Sequence, residues 1–134
     1  MKGYLKEIFL SIQGEGIFAG TPQIFIRFAR CNLSCKYCDT DFKLSDKFTV
    51  KFNEFTLEKY SNPVSSSNVV KIVESFPPLP LISFTGGEPL LQIDFLGELL
   101  FKFKEKGFKL FLETNGTRLS ELKKVLKLID HISM

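Results

Sequence analysis

The chain has 134 residues, 44% of them apolar, and a formal net charge of +3. That length predicts one globular domain, and fifteen phenylalanines with no tryptophan supply its core. No run of about 18 apolar residues exists to cross a membrane, and lysines scattered from Lys102 to Lys127 describe a solvated face, not a nucleic-acid surface.

In chain order, the first eight residues are broken by Lys6 and Glu7 and lack a secretory apolar region, so a cytoplasmic protein is expected. Ser11-Ile-Gln-Gly-Glu-Gly16 reads as a glycine turn between short strands. Residues 23–28 form an apolar run predicted to be a buried strand, followed at once by a cysteine-rich loop. Residues 45–67 are polar and read as an insertion or long crossover. A helix is predicted over about 68–76, a strand over 79–84, and then the loop Thr85-Gly-Gly-Glu-Pro89. From about 90 to 106, Leu91, Phe95, Leu99 and Phe103 recur at helical spacing, and Gly107 is a natural stop. A strand over 109–113 ends in Thr114-Asn-Gly116. A helix over about 119–129 carries the stripe Leu119, Leu122, Leu126 and Ile129, and a last strand begins at His131.

Strands alternating with helices predict an α/β fold with a parallel sheet. Each informative motif directly follows a strand. The carboxyl ends of parallel strands are where such folds bind ligands, so three motifs should converge on one site.

Cys31, Cys35 and Cys38 are the chain's only cysteines, spaced C-x3-C-x2-C. Three thiolates cannot close a four-coordinate structural metal site or pair off as disulfides. They can hold three irons of a [4Fe–4S] cube and leave the fourth open to a small molecule. Alternatives stay open on spacing alone. A zinc site would need His131 or a carboxylate as fourth ligand, and a ferredoxin-like carrier would normally supply a fourth cysteine. Gly86-Gly87-Glu88-Pro89 fits a helix-capping turn with Pro89 near the first helical position, which leaves Thr85, one glycine and Glu88 unexplained.

The cysteine spacing, with Tyr37 before the last cysteine, resembles the cluster loop of radical S-adenosylmethionine (SAM) enzymes. The Gly-Gly-Glu-Pro segment is similar to their SAM-contacting turn. More narrowly, residues 11–16, Ala19-Gly-Thr-Pro22, Arg27-Phe-Ala29, Cys38-Asp39-Thr40, residues 85–92, Glu113-Thr-Asn-Gly-Thr117 and the final Ile-Ser-Met resemble the 7-carboxy-7-deazaguanine synthases of queuosine biosynthesis. The likeness skips about residues 43–78. It implies a partial (βα) barrel with parallel strands, formed by a single radical SAM domain that is expected to lack its C-terminal third. It also implies a carbon–nitrogen lyase that rearranges 6-carboxy-5,6,7,8-tetrahydropterin to 7-carboxy-7-deazaguanine with loss of ammonia.

Residue by residue, the resemblance assigns Cys31, Cys35 and Cys38 to a [4Fe–4S] cluster and Thr40 to Mg²⁺. It assigns Tyr37, Cys38, Asp39, Gly87 and Ser133 to SAM. Ile12, Gln13, Gly14, Glu15, Arg27, Thr85 and Glu113 fall to the pterin substrate, with Arg27 suited to its carboxylate and Glu113 to its aminopyrimidine edge. The plainer reading of Arg27 is a salt bridge with Asp39 or Asp41, and that of Thr40 is a loop hydroxyl. An electron donor such as flavodoxin or ferredoxin and a homodimer are expected, with no nucleic-acid or membrane partner. One departure is Arg30, where family members often have glycine; its charge is expected to face solvent. The rival functions are a glycyl-radical-type activating enzyme and a non-catalytic Fe–S or zinc-binding module.

Overall fold

A computed structural model of the protein describes residues 1–14, 16–33 and 43–134. Its organising element is a seven-stranded sheet. Strands β1 (Lys2–Gly3), β2 (Leu5–Ile12) and β3 (Pro22–Phe28) come first, then β4 (Lys47–Lys51), β5 (Leu57–Ser61) and β6 (Val64–Ser65). Helix α1 (Ser66–Glu74), strand β7 (Leu81–Gly86), helix α2 (Ile93–Glu105), strand β8 (Lys109–Glu113), helix α3 (Leu119–Val125) and strand β9 (His131–Ser133) complete the order. In the sheet the strands run β5-β4-β2-β3-β7-β8-β9, while β1 and β6 pair separately.

The expected parallel βα units are β3, β7, β8 and β9, each parallel to its neighbour. Two antiparallel pairs, β2 with β3 and β4 with β5, extend that core on one side. Successive strand residues face opposite ways. On one face Ile24, Ile26, Phe28, Ile82, Phe84, Leu110 and Leu112 are essentially fully buried. Phe28 meets Phe95 of α2 at 5.9 Å between ring centroids, and Phe84 meets Phe103 at 6.2 Å. The other face carries Phe25, Arg27, Ser83, Thr85, Phe111 and Glu113, a polar and aromatic surface on which a site can be built.

Residues 45–67, read only as an insertion or crossover, hold β4, β5 and β6. In Lys47–Lys51 only Phe48 and Val50 are buried, so the alternation is a mere five residues long. Strand β5 is largely exposed and carries Glu58 and Lys59, the charged character that discourages edge pairing. The predicted stripe of the last helix also needs correction. Leu122 and Val125 are the buried pair, whereas Leu119 is 58% and Leu126 48% exposed. The α-helix tightens into a 3-10 turn at Leu126–Leu128, which shifts the phase of the pattern.

Asp130 fastens the approach to β9. Its carboxylate accepts from Leu110 N at 2.9 Å and from Lys104 Nζ at 2.7 Å. Burial pushes this carboxyl up, but the Lys104 ammonium and the Leu110 N–H together outweigh it and hold it below the ordinary carboxylate range. A lowered folded-state pKa contributes stability above the unfolded value that is lost as pH falls through the folded one. Asp130→Asn is therefore expected to cost about 1–2 kcal/mol near neutrality and to flatten the acid limb below the usual aspartate range. Urea unfolding of both proteins between pH 2.5 and 7 checks this; parallel curves would refute the role.

Candidate active site at the carboxyl ends of the strands

Parallel and antiparallel registers bring one residue from each strand into a row across the sheet. Glu7 pairs with Thr49 and Arg27, Arg27 with Thr85, and Glu113 with Ser133. The Thr85 hydroxyl closes the row by donating to Glu113 Oε2 at 2.6 Å. Four residues read from the sequence as binding groups, Arg27, Thr85, Glu113 and Ser133, thus stand side by side.

Gln13 arrives from the β2–β3 loop, its Nε2 donating to Glu113 Oε1 at 3.0 Å. Each Glu113 oxygen accepts one bond from the protein and keeps a second acceptor site for a ligand. Phe18 presses the same loop onto the sheet, 4.5 Å from Phe111 and 4.9 Å from His131 between ring centroids. Gln13, Phe18, Glu113, His131 and Ser133 line a cavity of about 20 Å³, room for a water. Beside it Ile12 is 61% exposed, and nothing lies within 4 Å of a Cβ built on Gly14. Glu15 lies outside the described residues. His131, weighed above as a zinc ligand, is engaged in edge-on contacts with Phe18 and Phe111.

Arg27 pairs with Glu7 on the neighbouring strand at 2.5 Å, and its guanidinium carbon lies 5.1 Å from the Phe9 ring centroid. The salt-bridge reading foresaw an acidic partner but not this one; Asp39 and Asp41 lie outside the described residues. Glu7 escaped notice because its facing Arg27 depends on the β2–β3 register, which shifts at an irregularity between Leu5 and Glu7. With one side committed to Glu7, the planar fork still has donors for a second carboxylate.

Cys31 stands three residues past the end of β3 as a free, half-buried thiol. Cys35, Tyr37, Cys38, Asp39 and Thr40 lie outside the described residues. The Gly-Gly-Glu-Pro turn packs against the backbone that leads into Cys31. Gly87 N donates to Phe28 O at 3.0 Å and Glu88 N to Arg30 O at 2.9 Å. Gly86 has φ +103°, and a Cβ on Gly87 would fall 1.8 Å from Arg30 O. Both glycines therefore have an intrachain reason: only a bare backbone fits so close to β3. Pro89 opens a 3-10 turn, Pro89–Gln92, as its position suggested.

Glu88 is fully buried, and its carboxylate accepts from Leu90 N, the Thr114 hydroxyl and Asn115 N. Gln92 accepts from Tyr4 N and donates to Tyr4 O and Ala29 O. Neither role was legible, since every partner but Leu90 is remote in sequence. Arg30 is exposed, as expected, and its φ of +72° puts it alone among described non-glycine residues in left-handed space. That conformation costs an L-residue about 1–2 kcal/mol, which explains why glycine suits the position. Arg30→Gly is expected to raise unfolding stability by about 0.5–1 kcal/mol; a fall in the urea midpoint would show that the side chain contributes more than its backbone costs.

A family model for the radical SAM superfamily matches residues 25–134, most of the chain. The chain belongs to the radical SAM superfamily. Membership implies a [4Fe–4S] cluster and SAM. The residues fit: three soft thiol donors in one short loop suit iron–sulfur ligation, and the described Cys31 is unbridged beside the ligand-binding ends of the strands. The chain is 38% identical over 136 residues to the 7-carboxy-7-deazaguanine synthase of Methanothermobacter thermautotrophicus, covering 100% of this chain and 49% of that protein. It is 41% identical to the enzyme of the same name from Archaeoglobus fulgidus, covering 99% and 54%. For that of Rickettsia prowazekii the identity is 42%, covering 90% and 47%. A crystal structure of QueE from Escherichia coli superposes with a TM-score of 0.67 at 29% identity, covering 87% of this chain and 54% of that one. The radical SAM chain thus spans about half the length of the curated relatives it matches.

Proposed function

We propose that this chain carries the activity of a 7-carboxy-7-deazaguanine synthase, a carbon–nitrogen lyase that converts 6-carboxy-5,6,7,8-tetrahydropterin to 7-carboxy-7-deazaguanine with loss of ammonia. The observation that supports it most is the row Arg27–Thr85–Glu113 with Gln13, on the sheet whose strand β3 leads into Cys31. A pterin acid presents a carboxylate at one end and an aminopyrimidine donor edge at the other. Arg27 suits the first and Glu113, steadied by Thr85 and Gln13, the second. Ile12, Gly14 and Glu15 complete the substrate side.

Cys31, Cys35 and Cys38 hold the cluster in this reading, and Tyr37, Cys38, Asp39, Gly87 and Ser133 hold SAM. Bound cluster and SAM supply the one-electron chemistry that removes a hydrogen atom from the substrate. The chain's own share is to grip both ends of the pterin and exclude water around its reacting carbon. Thr40 contributes a hydroxyl to Mg²⁺, a hard ion suited to oxygen donors and a substrate carboxylate. A small electron carrier such as flavodoxin or ferredoxin, a homodimeric assembly and a cytoplasmic setting belong to the same proposal. Among the described residues, no helix is long and apolar enough to cross a membrane.

The test is anaerobic reconstitution with iron and sulfide, then incubation with SAM, a reductant and the pterin. The expected result is 7-carboxy-7-deazaguanine by mass spectrometry, abolished with the cluster chromophore in Cys31→Ala. A loaded protein that cleaves SAM but leaves the pterin untouched would overturn the substrate assignment.

A further inference from the structure

The loop after β8 holds a closed ring of side-chain hydrogen bonds that reaches the residue next to Cys31. Asn115 Nδ2 donates to Asn32 Oδ1 at 2.9 Å. Asn32 Nδ2 donates to Thr117 Oγ1 at 2.9 Å, and that hydroxyl donates to Asn115 Oδ1 at 2.7 Å. Each side chain gives one bond and takes one, and the Thr117 N–H adds a further bond to Asn115 Oδ1 at 3.1 Å. Donors and acceptors arranged head to tail reinforce one another.

We infer that Asn32, Asn115 and Thr117 are positioning residues for Cys31, a ring that fixes the direction of its thiol toward the cluster. Exposed neutral hydrogen bonds add little to stability, so stability alone is a poor reason for a ring of three, two of which cross more than eighty residues of sequence. Their location gives a better reason. Cys31 is anchored on its N-terminal side by Arg30 O, which accepts from Glu88 N. It is anchored on its C-terminal side by the Asn32 side chain. The two anchors share one origin, because the Glu88 carboxylate also accepts from Asn115 N at 2.7 Å. A single buried glutamate therefore sets both ends of a three-residue segment with the thiol at its centre. Hydrogen-bonded supports of this kind orient metal ligands, and loosening them weakens the site.

The inference rests on the cluster assignment proposed above, so the test has one arm with the cluster and one without. Thr117→Val removes the hydroxyl at constant shape; Thr117→Ser keeps it. In reconstituted protein, Thr117→Val, which loses both ring bonds of the hydroxyl, is expected to release iron to a chelator about fivefold or more faster than the parent. Its reduced-cluster electron paramagnetic resonance spectrum should change, while Thr117→Ser should match the parent in both respects. In cluster-free protein, alkylation followed by peptide mass spectrometry should show faster modification of Cys31 in Thr117→Val, with Cys35 and Cys38 unchanged and the parent rate restored by Thr117→Ser. Equal Cys31 alkylation in parent and Thr117→Val would overturn the inference, as would equal iron release with identical spectra. A parent that takes up no cluster would refute the cluster assignment, and the alkylation arm would still decide the ring's role.

Discussion

On the proposed pterin reaction, Glu113→Gln is expected to lower kcat/KM by roughly 100-fold or more, with iron content unchanged. The substitution preserves volume and one carbonyl oxygen. It replaces the other oxygen with an amino group, which cannot accept from a ligand's donor edge. Hydrogen bonds to a charged group are worth about 1.5–3 kcal/mol each, and a site built to pair a polar edge discriminates strongly once unpaired. Gln13 and Thr85 make the effect specific. Each donates to a different Glu113 oxygen, so the carboxylate is held in one plane with its remaining acceptor positions facing outward. Thr85→Val should produce a smaller loss in the same direction, because it frees the carboxylate without removing it. Steady-state kinetics of the reconstituted enzyme, with iron counted per chain, check both. If Glu113→Gln retained kcat/KM within a few-fold of the parent, the carboxylate would serve the fold and not the substrate.

What could be read in advance divides along physical lines. The strands β3, β7 and β8 are short apolar runs ended by glycine, threonine or cysteine loops, and a largely buried strand leaves that mark in sequence. The helix before Gly107 repeats phenylalanine and leucine every four residues, and Phe95, Leu99 and Phe103 are buried there. Strand β2 was harder, because Lys6 and Glu7 interrupt its apolar pattern, and β4 offers just Phe48 and Val50. The site divides in the same way. That Arg27, Thr85 and Glu113 would come together was legible from the strand ends that carry them. That Thr85 would bond Glu113 follows from β7 and β8 being parallel neighbours in register. Glu7 facing Arg27, Glu88 reaching Asn115, and Asn32 meeting Thr117 required the assembled sheet, since no local pattern encodes a contact across twenty or more residues.

The Gly-Gly-Glu-Pro turn shows how a motif can carry two tasks at once. From sequence, its glycines suggested close approach to a ligand. In the fold they make close approach to Phe28 and Arg30, which fixes where the chain enters the cysteine loop. The two roles are compatible. The turn's 87 and 88 N–H groups are spent on β3 and its exit, so any contact with SAM falls to other backbone atoms of the same turn.

Glu88→Ala is expected to have a large effect on stability. The Glu88 carboxylate is fully buried, and burying a charge is costly unless hydrogen bonds replace its water. Those bonds come from Leu90 N at 3.0 Å, the Thr114 hydroxyl at 2.9 Å and Asn115 N at 2.7 Å. Truncation to alanine removes the acceptor for all of them and leaves buried donors without partners. Such losses cost about 1–3 kcal/mol each and are not fully additive, so Glu88→Ala is expected to destabilise by roughly 3–5 kcal/mol. Glu88→Gln keeps one carbonyl acceptor, but its amino group must face a donor at Asn115 or Leu90, so a cost of about 1–3 kcal/mol is expected. Urea unfolding of parent, Glu88→Gln and Glu88→Ala should rank them in that order. Equal midpoints for Glu88→Ala and the parent would mean that the Thr114 and Asn115 donors find other acceptors, and Glu88 would no longer be the hub joining the Gly-Gly-Glu-Pro turn, the loop after β8 and the entry to Cys31.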